Sequence, residues 1–273
     1  MRYREVTPPA PLAPLVRCLW ILEDDRGPGE IDRVLPDGCV EIIIHYGAAM
    51  KDQPGAIVAG QLKTAARLES TGPIGMIGVR FEPWGAGCFL RESLRGLTGS
   101  VVPLDTIWGA ESERVEARVR DAKDDAARLR VLTESLMRRL PRGGNRSSEL
   151  AAAFAWITQS QGAIPIEELA TRLGWSRRRL ERRFAEAVGL PPKSLCRIER
   201  FQSVVKNLRE PESARLVDLA IDAGFADQAH LANEFRALAG VSIRRWLAEQ
   251  HEFSDCFIVG LNEVNEVDEV KED

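Results

Sequence analysis

The sequence predicts an α+β chain in two parts, a β-rich N-terminal half with a few helices and an all-helical C-terminal part. Three observations predict it. Short β-branched runs separated by turn residues fill the first 82 positions, and helical spacing with caps and glycine stops fills 148 to 250. Between them lies Arg142-Gly143-Gly144-Asn145-Arg146-Ser147-Ser148, a Gly- and Ser-rich stretch with almost nothing to bury. At 273 residues the chain can bury a core in each part.

Strands are expected at V-R-C-L-W-I-L (16–22), V-E-I-I-I (40–44), A-I-V-A-G (56–60) and I-G-M-I-G-V-R-F (74–81). Pro36-Asp37-Gly38, Tyr46-Gly47 and Thr71-Gly72-Pro73 supply turns between them, so a small sheet or barrel follows. After Pro83 a short helix is expected around Ala86 to Leu94. A helix pair is expected from Glu111 to Leu140, carrying Val115, Val119, Leu129, Leu132, Leu136 and Leu140 at helical spacing, with Asp124 capping its second member. That apolar face has two readings of equal weight, a homodimer contact or packing on its own domain. The divisions are therefore 1–141, a linker at 142–148, a helical domain at 149–250 and a tail at 251–273.

The helical domain is punctuated clearly. Ser148 caps a first helix, Pro165 suits the first turn of I-E-E-L-A-T-R-L, and Gly174 ends that helix. Ser176 caps an arginine-rich helix that Gly189 and Pro191-Pro192 stop. A longer helix runs from Lys193 to Leu208, and Arg209-Glu210-Pro211-Glu212 breaks it. The pattern then repeats, with a helix at Leu216 to Ala223, a turn at Gly224, a cap at Asp227, a helix at Gln228 to Leu238 and a stop at Gly240.

Composition excludes several classes. No apolar run approaches the roughly 18 residues of a membrane span, and the N-terminus lacks a secretory pattern, so a cytoplasmic protein with no membrane partner is expected. Five scattered cysteines give no C-x-x-C pair, and three histidines are too few for a clustered site, so no metal and no cofactor are expected. No Ser/His/Asp set, P-loop or G-x-G-x-x-G stands out, which argues against an enzyme and names no catalytic residue. The net charge of −4 argues at face value against an acidic partner. By segment the argument fails. Residues 1 to 144 hold 20 basic and 20 acidic residues, residues 145 to 251 hold 16 and 13, and residues 252 to 273 hold one and eight. Within the middle segment, Ser176 to Ala185 carries five arginines against Glu181.

The repeat carries the function. The first unit reads L-A-T-R-L-G-W-S-R-R-R-L-E-R-R-F-A-E-A-V-G and the second L-A-I-D-A-G-F-A-D-Q-A-H-L-A-N-E-F-R-A-L-A-G. Each has Leu-Ala, a glycine turn followed by an aromatic, a capping residue, and Leu and Phe four apart, which is the signature of a helix-turn-helix. In tandem, over roughly residues 150 to 248, these units closely resemble the AraC/XylS family of bacterial transcription regulators, with G-F-A-D-Q-A-H-L-A-N-E-F-R the most diagnostic stretch. One departure is visible: Ile243 follows Gly240-Val241-Ser242 where the family usually has Pro, and this is expected to alter the start of the last helix rather than binding.

Helical geometry selects the groups that face double-stranded DNA. With Leu180 and Phe184 turned to the core, Arg178 and Arg182 lie opposite, and Glu181 flanks them. From Leu231 the same reckoning turns Ala229 and Asn233 outward, with Arg236 near and Gln228 and His230 at the edges. Arg is suited to guanine, and Gln or Asn to adenine. Arg177, Arg179 and Arg183 lie to the sides, where phosphates run. Ser176 and Asp227 complete the candidate DNA-binding set as the residues that start the two helices. Two such helices joined by one rigid helix would enter successive major grooves about 34 Å apart.

The resemblance further implies an N-terminal domain, often a cupin-like barrel, that senses a small-molecule effector or mediates dimers, and contact with RNA polymerase. P-D-G-C-V-E-I-I, G-Q-L near Gly60, G-V-R-F-E-P-W-G and V-P-L-D-T-I-W-G are similar to an N-terminal module of some AraC-type regulators. The alternative is an enzymatic or ligand-carrier domain fused to a DNA-binding module. Trp20, Trp84 and Trp108 are read as core in preference to pocket walls, and His45 as a satisfied core or rim residue. Arg80 and Glu82 are read as a strand-edge ion pair. The tail, C-F-I-V-G followed by acids with an apolar residue at every third position, is expected to be disordered; a lesser reading has it compete with DNA for the arginine helix.

Overall fold

The computed structural model describes residues 1–90, 94–140, 148–209, 216–249, 255–256 and 264–265. The domain is α+β. Strands β1 (Arg2–Val6), β2 (Val16–Asp24), β4 (Glu41–His45), β5 (Ala56–Ala59), β7 (Ile74–Phe81), β8 (Val101–Pro103) and β9 (Val264–Asn265) form one sheet in the order β8-β5-β4-β7-β2-β1-β9. Neighbours run antiparallel except β1 and β9, which are parallel. Strands β3 (Ile31–Val34) and β6 (Ala66–Glu69) form a separate antiparallel ribbon.

Alternation along the strands creates two buried faces. Leu19 and Ile21, Ile42 and Ile44, Ala56 and Val58, and Ile77, Val79 and Phe81 share one core with helices α1 (Gly87–Leu90), α2 (Asp105–Trp108), α3 (Ala110–Asp121) and α4 (Asp125–Arg139). The intervening residues, Trp20, Ile43, Ile57 and Met76, face a cavity of about 190 Å³ that the ribbon closes with Val34, Ala66 and Leu68. Gly78 pairs with Trp20 across β2 and β7, and a Cβ there would stand 2.4 Å from the indole. Only glycine lets that ring lie flat on the sheet.

The expected helix pair is present, and the Asp124 side chain accepts the Ala127 N–H at 2.8 Å. Its apolar residues Val115, Val119, Val131, Leu132 and Leu136 are buried in their own domain's core, which takes up the face that one reading assigned to a homodimer. The reading of Arg80 and Glu82 as a pair is also corrected. Arg80 is buried, and its partners are Glu41 at 2.7 Å, Glu5 at 3.1 Å and Asp37 at 3.6 Å. Glu82 instead meets Arg17 at 3.3 Å. The alternation explains this: Arg80 shares the cavity face with Met76, whereas Glu82 lies beyond the end of β7. Of the three tryptophans, Trp20 lines the cavity, Trp108 is core beneath Arg139, and Trp84 reaches Phe154 of the helical domain.

Four residues of the tail are described, and they belong to the fold. Cys256 is buried beside Cys18, Trp20 and Met76, its carbonyl accepts from Arg80 at 3.2 Å, and β9 extends the sheet along β1. Asp255 binds Arg209 at 2.5 Å. An acidic composition suggests disorder, but Cys256 and the β9 residues supply an apolar anchor and a backbone ladder that composition does not register.

In the helical part, α5 (Ser148–Gln159), α6 (Ile166–Arg172) and α7 (Arg177–Ala187) bury Phe154, Leu169, Leu180 and Phe184 together. Helices α9 (Leu216–Asp222), α10 (Gln228–Ala239) and α11 (Ile243–Ala248) do the same with Leu219, Leu231, Phe235 and Trp246. Helix α8 (Pro192–Arg209) serves both. Its Leu195 and Ile198 enter the first core, and Phe201, Val204, Val205 and Leu208 the second. The last helix starts at Ile243, with the Ser242 side chain accepting from the Arg245 N–H. The expected linker falls outside the described residues except for Ser148. No helix among the described residues is long and apolar enough to cross a membrane.

Two predictions follow from the buried charges. Replacing Arg80 with Met leaves three carboxylates facing one another away from water, and the expected loss is about 3–5 kcal/mol in urea denaturation. Burial also holds the His45 imidazole down, to about 4. As pH falls from the ordinary histidine value towards 4, the unfolded chain takes up a proton that the folded chain refuses. The stabilising difference is whole above that window and is lost within it. The stability of the parent relative to His45→Leu is therefore expected to fall by roughly 3 kcal/mol between pH 6.5 and 4, measured by denaturation at each pH.

Candidate nucleic-acid interface

Each helical unit builds the same corner. In the first, α6 ends at Gly174, in the left-handed region at φ 64°, and the Ser176 side chain accepts the Arg179 N–H at 3.2 Å to start α7. In the second, Gly224 follows α9 at φ 73°, and the Asp227 side chain accepts the His230 N–H at 2.7 Å to start α10. Ser176 and Asp227 thus act on their own helices, satisfying N–H groups that would otherwise lack partners. Buried Leu180 and Phe184, and buried Leu231 and Phe235, fix the roll of α7 and α10.

That roll exposes Arg177, Arg178, Arg179, Glu181 and Arg182, with Arg183 half-buried, and on α10 it exposes Gln228, Ala229, His230, Asn233 and Arg236. The exposed groups differ in their freedom. Arg177 lies between Glu167 at 2.8 Å and Glu181 at 3.0 Å, Arg179 stacks 4.8 Å from the Trp175 ring centre, and Arg183 meets Glu186 at 3.8 Å. Arg178 and Arg182 have no ion pair or ring partner among the described residues. His230 is tied down more than its position suggests. Its ring meets Phe225 edge-on at 5.3 Å, and its Nδ1 accepts the Ala226 N–H at 3.4 Å. The free side chains on these helices are therefore the two arginines that geometry turns directly away from the core, together with Gln228, Asn233 and Arg236.

The other ends of the same helices are held by the N-terminal domain. Helix C-termini leave carbonyls without intrahelical partners. At the end of α7, Gln61 donates to the Val188 carbonyl, and Thr98 donates to that of Gly189 at 2.9 Å. At the end of α10, Arg33 donates to the Ala239 carbonyl at 3.0 Å and the Ala65 N–H to that of Leu238 at 2.7 Å. Arg33 also brings a positive charge to the negative end of the helix dipole. Between them, Gln202 of α8 donates to the Pro36 carbonyl at 2.6 Å, and Gly38, at φ 79°, leaves room for Leu195 where a Cβ would stand 2.8 Å from it. Sequence reasoning did not identify Arg33, Gln61, Ala65 or Thr98. The G-Q-L segment was the one signal that touched them.

These donors are immediate chain neighbours of residues in the wall of the N-terminal cavity. Gly60 and Leu62 flank Gln61, Val34 follows Arg33, Ala66 follows Ala65, and Gly99 follows Thr98; all five flanking residues line the cavity.

Comparison with known proteins bears on both halves. Residues 4–103 match a family described as a domain of unknown function (DUF6597), and residues 169–249 one described as a helix-turn-helix domain. The HTH-type transcriptional activator AarP of Providencia stuartii is 26% identical over 98 residues, which are 36% of this chain and 72% of that protein. Among solved structures, the DNA-binding domain of AdpA in complex with a target DNA is 28% identical, covering 37% of this chain and 90% of that chain with a TM-score of 0.34. ToxT from Vibrio cholerae is 11% identical, covering 84% of this chain and 98% of that chain with a TM-score of 0.46.

Proposed function

We propose, for a chain that carries the tandem helix-turn-helix of the AraC/XylS-type DNA-binding transcription regulators, that α7 and α10 read two successive major-groove segments on one face of the duplex. One observation carries this reading: two capped helices, each rolled by a buried Leu and Phe, present unpaired Arg178 and Arg182 on one and Gln228, Asn233 and Arg236 on the other, while a single helix, α8, belongs to both cores. Arg and Asn or Gln side chains suit the donor and acceptor pattern of guanine and adenine edges. Arg177, Arg179 and Arg183, turned aside and braced, suit phosphates. In the same reading the N-terminal domain is the sensor of a small-molecule effector. Its cavity wall carries the donors that hold both recognition helices, so a change in the wall reaches both reading heads.

Selection of bound fragments from random DNA tests the reading. Two separated half-sites are expected, and the absence of any preferred sequence would make the chain a non-specific binder. Arg182→Ala is expected to relax preference in one half-site, at a cost of about 1–3 kcal/mol for the preferred base, whereas Arg177→Ala weakens all sequences and lowers the salt slope by about one unit. Uniform scaling by both would refute the facing assignment. Removing the clamp with Gln61→Ala and Arg33→Ala together is expected to preserve each half-site while weakening discrimination against one-base-pair insertions between them, measured by competition binding.

A further inference from the structure

Between the sheet and the ribbon lies the cavity of about 190 Å³, and its lining is chemically lopsided. Most of it is apolar: Trp20, Ile43, Ile57, Leu62, Leu68 and Met76 among others. The charged residues in the lining are Asp37 and Glu41, both acids, and no basic residue joins them among the described residues. Two guanidiniums stand behind this wall. Arg80 is spread over Glu5, Asp37 and Glu41, and Arg17 meets Glu82 and also interacts with Asp37 and Glu199. Among the described residues, these two cations thus meet five carboxylates. Burial pushes the Glu41 carboxyl up to about 7 against the pull of Arg80.

We infer that the cavity binds a small apolar molecule with a cationic end, an aryl- or alkylammonium ion whose hydrocarbon part fills the space beside Trp20 and whose ammonium meets Asp37 and Glu41. This rests on the reading of the N-terminal domain as a sensor and names the class of molecule sensed. Size follows from volume, since a protein cavity of about 150 Å³ holds benzene; the ligand is one ring or a short chain with a small head. Charge follows from the walls, since a buried anion beside two carboxylates would lack a counter-charge, whereas an ammonium supplies one. Asp37 and Glu41 also connect the site to the rest of the fold. Asp37 follows the Pro36 carbonyl that accepts from α8, and the cavity wall holds the ends of α7 and α10.

The full chain is titrated calorimetrically with 2-phenylethylamine, the neutral 2-phenylethanol, the anion phenylacetate, and a series of alkylammonium ions of six to ten non-hydrogen atoms. The ammonium ions are expected to bind at least tenfold more tightly than phenylacetate. Asp37→Asn keeps an oxygen able to accept the Cys39 N–H while removing the charge, and is expected to weaken 2-phenylethylamine about tenfold with little effect on 2-phenylethanol. Ala59→Leu, which fills the cavity from β5, is expected to abolish binding of both while preserving the unfolding transition. Equal or tighter binding of phenylacetate, or ammonium binding unchanged by Ala59→Leu, overturns the inference. So does a chain that binds none of the ammonium ions yet still binds its selected DNA; in that case the DNA-reading proposal stands. Ammonium binding that leaves DNA affinity and half-site spacing unmoved supports the site and removes the sensor reading.

Discussion

One buried guanidinium organises the N-terminal domain. Arg80 stands on the central part of the sheet where water does not reach it, and a charge in that position persists only if the chain surrounds it with opposite charge. The chain does so from four places: Glu5 on β1, Asp37 in the turn before β4, Glu41 on β4, and the Cys256 carbonyl from the tail. These groups are far apart in sequence and cannot meet unless the strand order, the register and the tail are all correct. The cluster thus acts as a test of the assembled fold. Its cost is an acidic floor beneath the cavity, formed by Asp37 and Glu41.

The same region also contacts the helical part. The turn that supplies Asp37 begins with Pro36, whose carbonyl binds α8, and with Leu35, which is buried in the second helical core. Two other wall segments end in donors to the C-termini of α7 and α10. Helices α7 and α10 are therefore each capped at the N-terminus by the residue just before them and at the C-terminus by donors from the N-terminal part. This division has a physical logic. The carbonyl ends, where the helix dipole is negative, are turned inward and supplied with hydrogen-bond donors, while the exposed side chains stay outside those contacts.

Much of this was legible in the sequence, for identifiable reasons. Strands β2, β4, β5 and β7 are legible because β-branched runs and turn residues mark them, and the helical units because Ser176, Gly174, Asp227 and Gly240 are punctuation that acts locally. The sides of α7 and α10 were also legible, since Leu and Phe four apart fix a helix's roll. What was missed depends on tertiary partners. β1 and the β3–β6 ribbon, R-Y-R-E-V, I-D-R-V and A-R-L-E, carry two or three charged residues each and no β-branched run, so nothing local marks them as strands until another strand pairs with them. Arg80 was assigned to its neighbour Glu82 because sequence shows proximity along the chain, whereas its partners lie 39, 43 and 75 residues away. His230 was treated as a free edge residue because its ring partner, Phe225, lies back across the turn.

The tail illustrates the same limit most sharply. Its last 22 residues hold eight acids and one lysine, and averaged over that length they favour solvent. Yet a segment is held by its best contacts and not by its mean. Cys256 places an apolar side chain beside Trp20 and a carbonyl on Arg80, Asp255 pairs with Arg209, and Val264–Asn265 adds a strand to the open edge of β1. These contacts fall on the N-terminal sheet and on the end of α8. The described contacts close the charge cluster around Arg80, which makes these residues part of the same constraint that builds the cavity.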